Sequence, residues 1–141
     1  MVNKKETTEA SILDEQEMAL KFQIFEQQIR SIQEQLQAVE QVLVELGRLN
    51  LDLGEMVGKK ENEILAPIGR GIYVKSKLMS EELLVDIGNK NFVKKTIPET
   101  KIILQKQIKK LENIKTTLNG ELEKINEELT KVFEESQKQN N

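Results

Sequence analysis

The chain has 141 residues, of which 38% are hydrophobic and 32% charged, and its formal net charge is -3 at pH 7. The low apolar fraction and the lack of Trp disfavour a large compact core and favour an elongated shape. Cys and His are both absent, which excludes disulfides, Cys nucleophiles, imidazole bases and zinc sites of the Cys/His type. The acidic balance argues against a dedicated binder of nucleic acid or anionic membranes. No stretch is typical of a signal peptide or a membrane span, so we expect a soluble, cytoplasmic protein.

A row of apolar residues at alternating spacings of four and three predicts a first helix at about 13–57, after a disordered tail at 1–12. This row is called the seam below. Asn50 interrupts it as a polar residue able to set register, Leu53 and Val57 continue it, and Gly58 supplies a helix stop. Its earlier members are Met18, Phe22, Phe25, Ile29, Ile32, Leu36, Val39, Leu43 and Leu46.

The region 63–96 changes to short segments rich in Ile, Val and Leu, with turn residues between them. They are EILAPIG, IYVKSKL, ELLVDIG and NFVKKT, and we interpret them as four strands in two β-hairpins. Roughly thirty such residues cannot close a core alone, so strands of other chains are expected to pair with them. The predicted oligomerisation residues are Ile64, Leu65, Ile72, Val74, Leu83, Val85, Ile87 and Phe92.

A second seam predicts a second helix at about 97–135, before a disordered tail at 136–141. Thr96, Pro98 and Glu99 form a typical helix start, with Thr96 as the cap. Both helices are on the order of 60 Å long, which favours an antiparallel coiled-coil hairpin. The seam residues are Leu104, Ile108, Leu111, Leu118, Leu122, Ile125, Leu129 and Val132, with Lys115 at the one polar position.

The segment EILAPIGRGIYVKSKL resembles the strand element that follows the first helix in archaeal prefoldin alpha subunits. LLVDIGNKNFVKK resembles that family's second hairpin, and the similarity in layout runs from about 15 to 135. Ala66 stands where valine is usual in the family, and Lys90 replaces a common turn glycine. Asn89 tolerates left-handed backbone angles, so a turn remains feasible there.

The order helix, two hairpins, helix predicts a mainly α, α+β fold, and no residue pattern offers a catalytic, cofactor or metal site, so no enzymatic activity is expected. Similar prefoldins assemble as hetero-hexamers of two alpha and four beta subunits around a double β-barrel. Their coiled coils bind unfolded polypeptides without ATP. Transfer of these clients to a group II chaperonin is implied by the resemblance alone.

An antiparallel pairing in which partner residue numbers sum to about 155 would gather apolar side chains at the end farthest from the strands. Within this apolar cluster, the seam residues are expected either to pack the coil or to bind clients, and the off-seam residues are better candidates for client contact. The seam members are Met18, Phe22, Phe25, Leu129 and Val132, and the off-seam members are Leu20, Ile24 and Phe133.

Charge changes sign along the second helix. Residues 101–115 carry five Lys and one Glu, whereas 121–135 carry six Glu and two Lys. This pattern is typical of a solvated face, and the alternative is an acidic end that docks on a basic chaperonin rim. Two further functions stay open: a prefoldin-like filament built through the strands, and a coiled-coil adaptor for unrelated helices.

Overall fold

The computed structural model describes residues 4–139, with side chains from 12 to 138. Two long helices have two antiparallel β-hairpins between them in chain order, so the predicted α+β fold is confirmed. The predicted intersubunit barrel stays a prediction. The elements are α1 (Lys4–Met56), β1 (Glu63–Gly69), β2 (Ile72–Lys77), β3 (Leu83–Asp86), β4 (Phe92–Lys95) and α2 (Ile97–Gln139).

The chain divides into two compact units. The first, called the helical unit below, comprises the described residues up to Glu40 and from Asn113 onward. The second, called the strand unit, is Gln41–Glu112 and contains both hairpins together with the last turns of α1 and the first turns of α2.

In the helical unit, early residues of α1 lie beside late residues of α2, so the two segments are antiparallel. Phe22 and Phe133 line one cavity, and the Lys115 ammonium lies 3.4 Å from a Glu40 carboxylate oxygen. These pairs confirm the predicted register. The seam residues Ile32 and Leu118 are buried, each with 7% of its surface exposed, which is the burial expected of positions facing the partner helix.

The core of the strand unit lies between the last turns of α1 and the first turns of α2. Leu53, Ile97 and Leu104 are buried against one another. A Cβ on Gly54 would stand 2.8 Å from Lys101 Nζ, which agrees with the same helix register as in the helical unit. The partly buried residues packed against this cluster are Leu46, Met56 and Leu83.

The four strands follow the predicted segments closely. β1 pairs with β2 from Glu63↔Lys77, and β3 pairs with β4 from Leu83↔Lys95. In the second turn both Asn89 and Lys90 adopt left-handed backbone angles, with φ of 50° and 60°. Lysine therefore takes the conformation that the family's common glycine would adopt more readily.

Helix α2 begins as its cap predicts. The Thr96 hydroxyl accepts a hydrogen bond from the Glu99 backbone N–H at 3.2 Å, which satisfies one donor of the first turn. The Thr96 carbonyl accepts from the Thr100 backbone N–H at 3.0 Å and from its side-chain hydroxyl at 2.9 Å. These bonds fix the point at which the chain leaves β4 and enters the helix.

Both helices extend beyond the predicted bounds. α1 begins at Lys4, inside the segment predicted as a disordered tail, and α2 continues to Gln139 instead of about 135. The seam pattern is absent there, but neither stretch contains Pro or Gly, and most of its residues favour helix. The tail prediction for residues 1–3, 140 and 141 lies outside the described residues.

The predicted end of α1 is also shifted. The helix ends at Met56, and Val57 is 58% exposed, so Val57 is not a seam residue. Gly58 has a φ of 77°, a left-handed angle that ends the helix without a Cβ clash. Met56, which lies off the predicted seam, packs on the core in its place.

Candidate functional site

An apolar notch lies between α1 and α2 in the helical unit. Its volume is about 290 Å³, and it is lined by Phe22, Leu129, Thr130 and Phe133. Phe22 and Leu129 are half-buried seam residues, whereas Phe133 is exposed. The notch therefore has a floor that belongs to the coil and a rim that faces solvent.

The apolar cluster separates by seam position as predicted. Leu20, Ile24 and Phe133 keep 57%, 46% and 53% of their surface exposed, although large apolar side chains are costly to leave in water. The remaining members are half-buried between the helices. They are Met18, Phe22, Phe25, Leu129 and Val132.

Two exposed apolar residues extend this surface and were missed from the sequence. Ile12 is 47% and Leu13 59% exposed. Leu13, Leu20 and Ile24 are spaced by seven and four residues, which puts them on one face of α1, away from the seam. That spacing was present in the sequence, but Leu13 precedes the first seam residue.

The first hairpin exposes apolar residues on both of its faces. Cross-strand pairing of Ile64 with Ser76 and of Ala66 with Val74 puts these four residues on one face. Leu65 pairs with Lys75 on the opposite face and is 63% exposed, so the two predicted oligomerisation residues Ile64 and Leu65 lie on different faces of the hairpin. The faces separate because consecutive strand residues point to opposite sides.

Exposure identifies the part of this hairpin available to a partner chain. Ile64 is half-buried, whereas Ile72 and Val74 are 61% and 47% exposed. Ile68 and Tyr73, which were not predicted as oligomerisation residues, are 70% and 58% exposed. The hairpin has more unpartnered apolar surface than the prediction assigned to it.

The second hairpin has one half-buried and one exposed face. Leu83 and Val85 are half-buried, and Leu83 packs against the core of the strand unit. Phe92 is 60% exposed and shares the other face with Leu84, which is 68% exposed and was not predicted. Ile87 is 63% exposed and donates its backbone N–H to Asn91 at 2.9 Å in the turn.

A hydrogen bond ties the linker between the hairpins to the end of α1. The Gly58 backbone N–H donates to the Glu81 carboxylate at 2.6 Å. The first hairpin is extended by bonds in both directions between Leu78 and residues 61 and 62. These contacts orient the exposed strand faces relative to the core of the strand unit.

No group of three or more acidic, His or Cys side chains in residues 12–138 is arranged to hold a metal ion. Among the helices as described, none is long and apolar enough to cross a membrane.

Comparison with known proteins identifies the family. The family model described as Prefoldin subunit matches residues 20–141. The chain belongs to the prefoldin family. The resemblance found in its two hairpin segments is thereby confirmed.

Named prefoldin relatives are archaeal. Prefoldin subunit alpha of Methanococcus maripaludis is 30% identical over 116 residues, which is 82% of this chain and 78% of the relative. Prefoldin subunit alpha of Methanococcus aeolicus is 28% identical over 125 residues, covering 87% of this chain and 82% of the relative.

A solved prefoldin structure has the same fold. The filamentous PFD of Methanocaldococcus jannaschii, determined by cryo-electron microscopy, superposes with a TM-score of 0.72 at 15% sequence identity. The match covers 83% of this chain and 98% of the solved chain.

Proposed function

We propose that this prefoldin chain is a subunit of an ATP-independent chaperone that holds unfolded polypeptides at the apolar cluster of its helical unit. Support comes from the exposure of the off-seam residues Leu20, Ile24 and Phe133 on a coil whose seam residues are buried or half-buried. Off-seam apolar residues add little to coil packing, so these exposed side chains do not stabilise the fold. Clustered exposed apolar side chains are typical of interaction sites.

The proposed binding is weak at a single subunit and strong in an assembly. Burial of a large apolar side chain gains about 1.5 to 3 kcal/mol, much of which is lost in ordering a flexible client. Several subunits that contact one client together raise its apparent affinity through effective concentration. Weak individual contacts also suit a chaperone that must release its client.

The proposed assembly contains two copies of this chain and four prefoldin beta subunits, joined through the strands. Support comes from the exposed apolar residues Ile72, Val74 and Phe92, which a second chain would cover. Unpaired strand edges with apolar side chains promote aggregation in a protein that leaves them uncovered. The relatives are named as alpha subunits, which supports the alpha position of this chain in the proposed assembly. Cytoplasmic location and transfer of clients to a group II chaperonin belong to the same proposal.

The test begins with co-expression of the chain and a prefoldin beta subunit from an archaeon. We expect a complex whose mass, measured by light scattering, corresponds to a hexamer. Diluting a chemically denatured model client into buffer with the complex should then suppress its aggregation without ATP. A complex that forms but gives no suppression would contradict the proposed function.

A filament is the second candidate function, and the solved filamentous PFD favours it. In that case the exposed strand faces would join copies of this chain end to end. Negative-stain microscopy of the chain purified alone distinguishes the two, because filaments of the single chain support the structural role. Discrete particles that form only with a beta subunit support the chaperone.

A further inference from the structure

The apolar notch of the helical unit adjoins a second, larger concavity on α2. This furrow has a volume of about 580 Å³ and shares Thr130 with the notch. A chain segment seated in the notch can therefore extend over the furrow. The furrow residues are Asn119, Leu122, Glu123, Asn126, Glu127, Thr130, Lys131 and Glu134.

The furrow presents acceptors and negative charge. Three of its lining residues are glutamates, Glu123, Glu127 and Glu134, against the single cation of Lys131. All three glutamates are exposed. The Thr130 hydroxyl donates its proton to the Asn126 carbonyl at 2.8 Å, so it faces a ligand as an acceptor.

The notch, by contrast, offers apolar contact. Phe22, Leu129 and Phe133 supply its walls, and Phe133 has 53% of its surface exposed. An occupant that satisfies both concavities needs an apolar side chain for the notch and cationic groups for the furrow. A segment with acidic residues would bring like charges together, which is unfavourable.

We propose that this chain selects client segments in which Lys or Arg lies close to a large apolar residue. This inference rests on the proposed holding function and specifies its substrate class. Glu127 lies three residues before the notch residue Thr130, which is about 5 Å along the axis of α2. A Lys or Arg two to four positions from the apolar anchor would therefore reach the furrow carboxylates.

The selectivity should be moderate and dependent on salt. The carboxylates are exposed, so each contributes little alone, and together they favour a cationic segment by roughly fivefold in affinity. The Debye length falls from about 10 Å at 0.1 M salt to about 3 Å at 1 M, so added NaCl should erase the preference. The apolar contribution of the notch should persist.

The test uses two fluorescein-labelled unstructured peptides with identical apolar residues, one carrying Lys and the other Glu at the same positions. Their affinities for the assembled complex are measured by fluorescence anisotropy. The furrow variant combines Glu123→Gln, Glu127→Gln and Glu134→Gln. We expect it to lower the preference for the Lys peptide over the Glu peptide by roughly fivefold. The apolar contribution of the notch to the affinity of both peptides should change little.

A matched control removes the same number of charges from exposed positions of α1 in the strand unit. It combines Glu45→Gln, Asp52→Asn and Glu55→Gln, and it should leave the preference unchanged. Partner subunits are identical in all complexes, so a difference between variants belongs to this chain. An equal loss in the control would show a general charge effect and overturn the assignment to the furrow.

The outcomes separate this inference from the function on which it rests. If neither peptide binds the unmodified complex, the holding function itself is contradicted. If both peptides bind with equal affinity at low salt, the holding function stands and the cationic substrate class is wrong. A preference that survives the furrow variant would also overturn the inference.

Discussion

Lys115 of α2 and Glu40 of α1 form an ion pair across the helical unit, with 3.4 Å between the ammonium nitrogen and a carboxylate oxygen. Lys115 occupies the single polar position of its seam, where it is half-buried. An oppositely charged partner allows the lysine to remain at a position that favours apolar residues. The pair therefore shows which residues of the two helices lie opposite each other, and it adds little to the free energy of unfolding.

Replacing Lys115 tests whether the ion pair or an apolar contact at this seam position would stabilise the coil more. Lys115→Leu should raise the free energy of unfolding by about 1 kcal/mol, because an apolar seam contact outweighs a partly exposed ion pair. Urea denaturation followed by circular dichroism measures the change. Glu40→Gln, which removes only the pairing charge, should shift stability by less than about 0.5 kcal/mol. A less stable Lys115→Leu protein would mean that the ion pair dominates.

The buried seam should be sensitive to polar substitution. Ile32 is 7% exposed, so Ile32→Ser loses apolar burial and introduces a hydroxyl between the helices. We expect a loss of about 2 to 4 kcal/mol in the free energy of unfolding. Leu20→Ser, at a 57% exposed position on the same helix, is the matched control and should cost less than about 1 kcal/mol. Equal losses would contradict the seam assignment.

Loss of the N-terminal cap of α2 should lower stability less than a polar substitution in the buried seam does. Thr96→Ala removes the acceptor for the Glu99 N–H and should lower stability by about 1 kcal/mol. Thr96→Ser keeps the acceptor and should restore most of the loss. Thermal denaturation of the two variants provides the comparison, and an equally destabilised Ser variant would show that the threonine methyl group, not the cap, matters.

The strand surface should control assembly. Val74→Asp places a charge on a 47% exposed apolar position and should prevent formation of the complex while both helices remain formed. The control, Lys75→Asp, changes the opposite face of β2. This variant should form the complex to an extent closer to that of the unmodified chain. Size-exclusion chromatography gives the mass, and circular dichroism gives the helix content. Normal assembly of Val74→Asp would contradict a platform built on that face.

Much of the fold could be predicted because the two seams and the four strand segments each repeat a simple period. The seams fixed both the helix pairing and its register, as Ile32, Leu118 and the Lys115 pair demonstrate. The ends of the helices could not be placed in this way. Residues 4–12 form helix through their intrinsic propensity. They lie before the first seam residue, so the seam pattern could not predict that the helix extends through them.

The candidate surfaces were predicted less completely. Seam position separated exposed Leu20 from half-buried Phe22, because packing in a coil follows the heptad. On the strands, apolar identity alone grouped Leu65 with Ile64, and alternation puts them on opposite faces. Leu83, a predicted oligomerisation residue, is half-buried and also packs against the core cluster of the strand unit, a contact that cannot be recognised without the tertiary fold.

Client binding is assigned above all to the exposed, off-seam apolar residues. The most direct test combines Leu20→Ser, Ile24→Ser and Phe133→Ser and follows the light scattering of a diluted denatured client at equal complex concentration and salt. We predict unchanged helix content and assembly with a partial loss of protection, because beta subunits also contribute binding sites. Undiminished protection by a correctly assembled triple variant would contradict the claim.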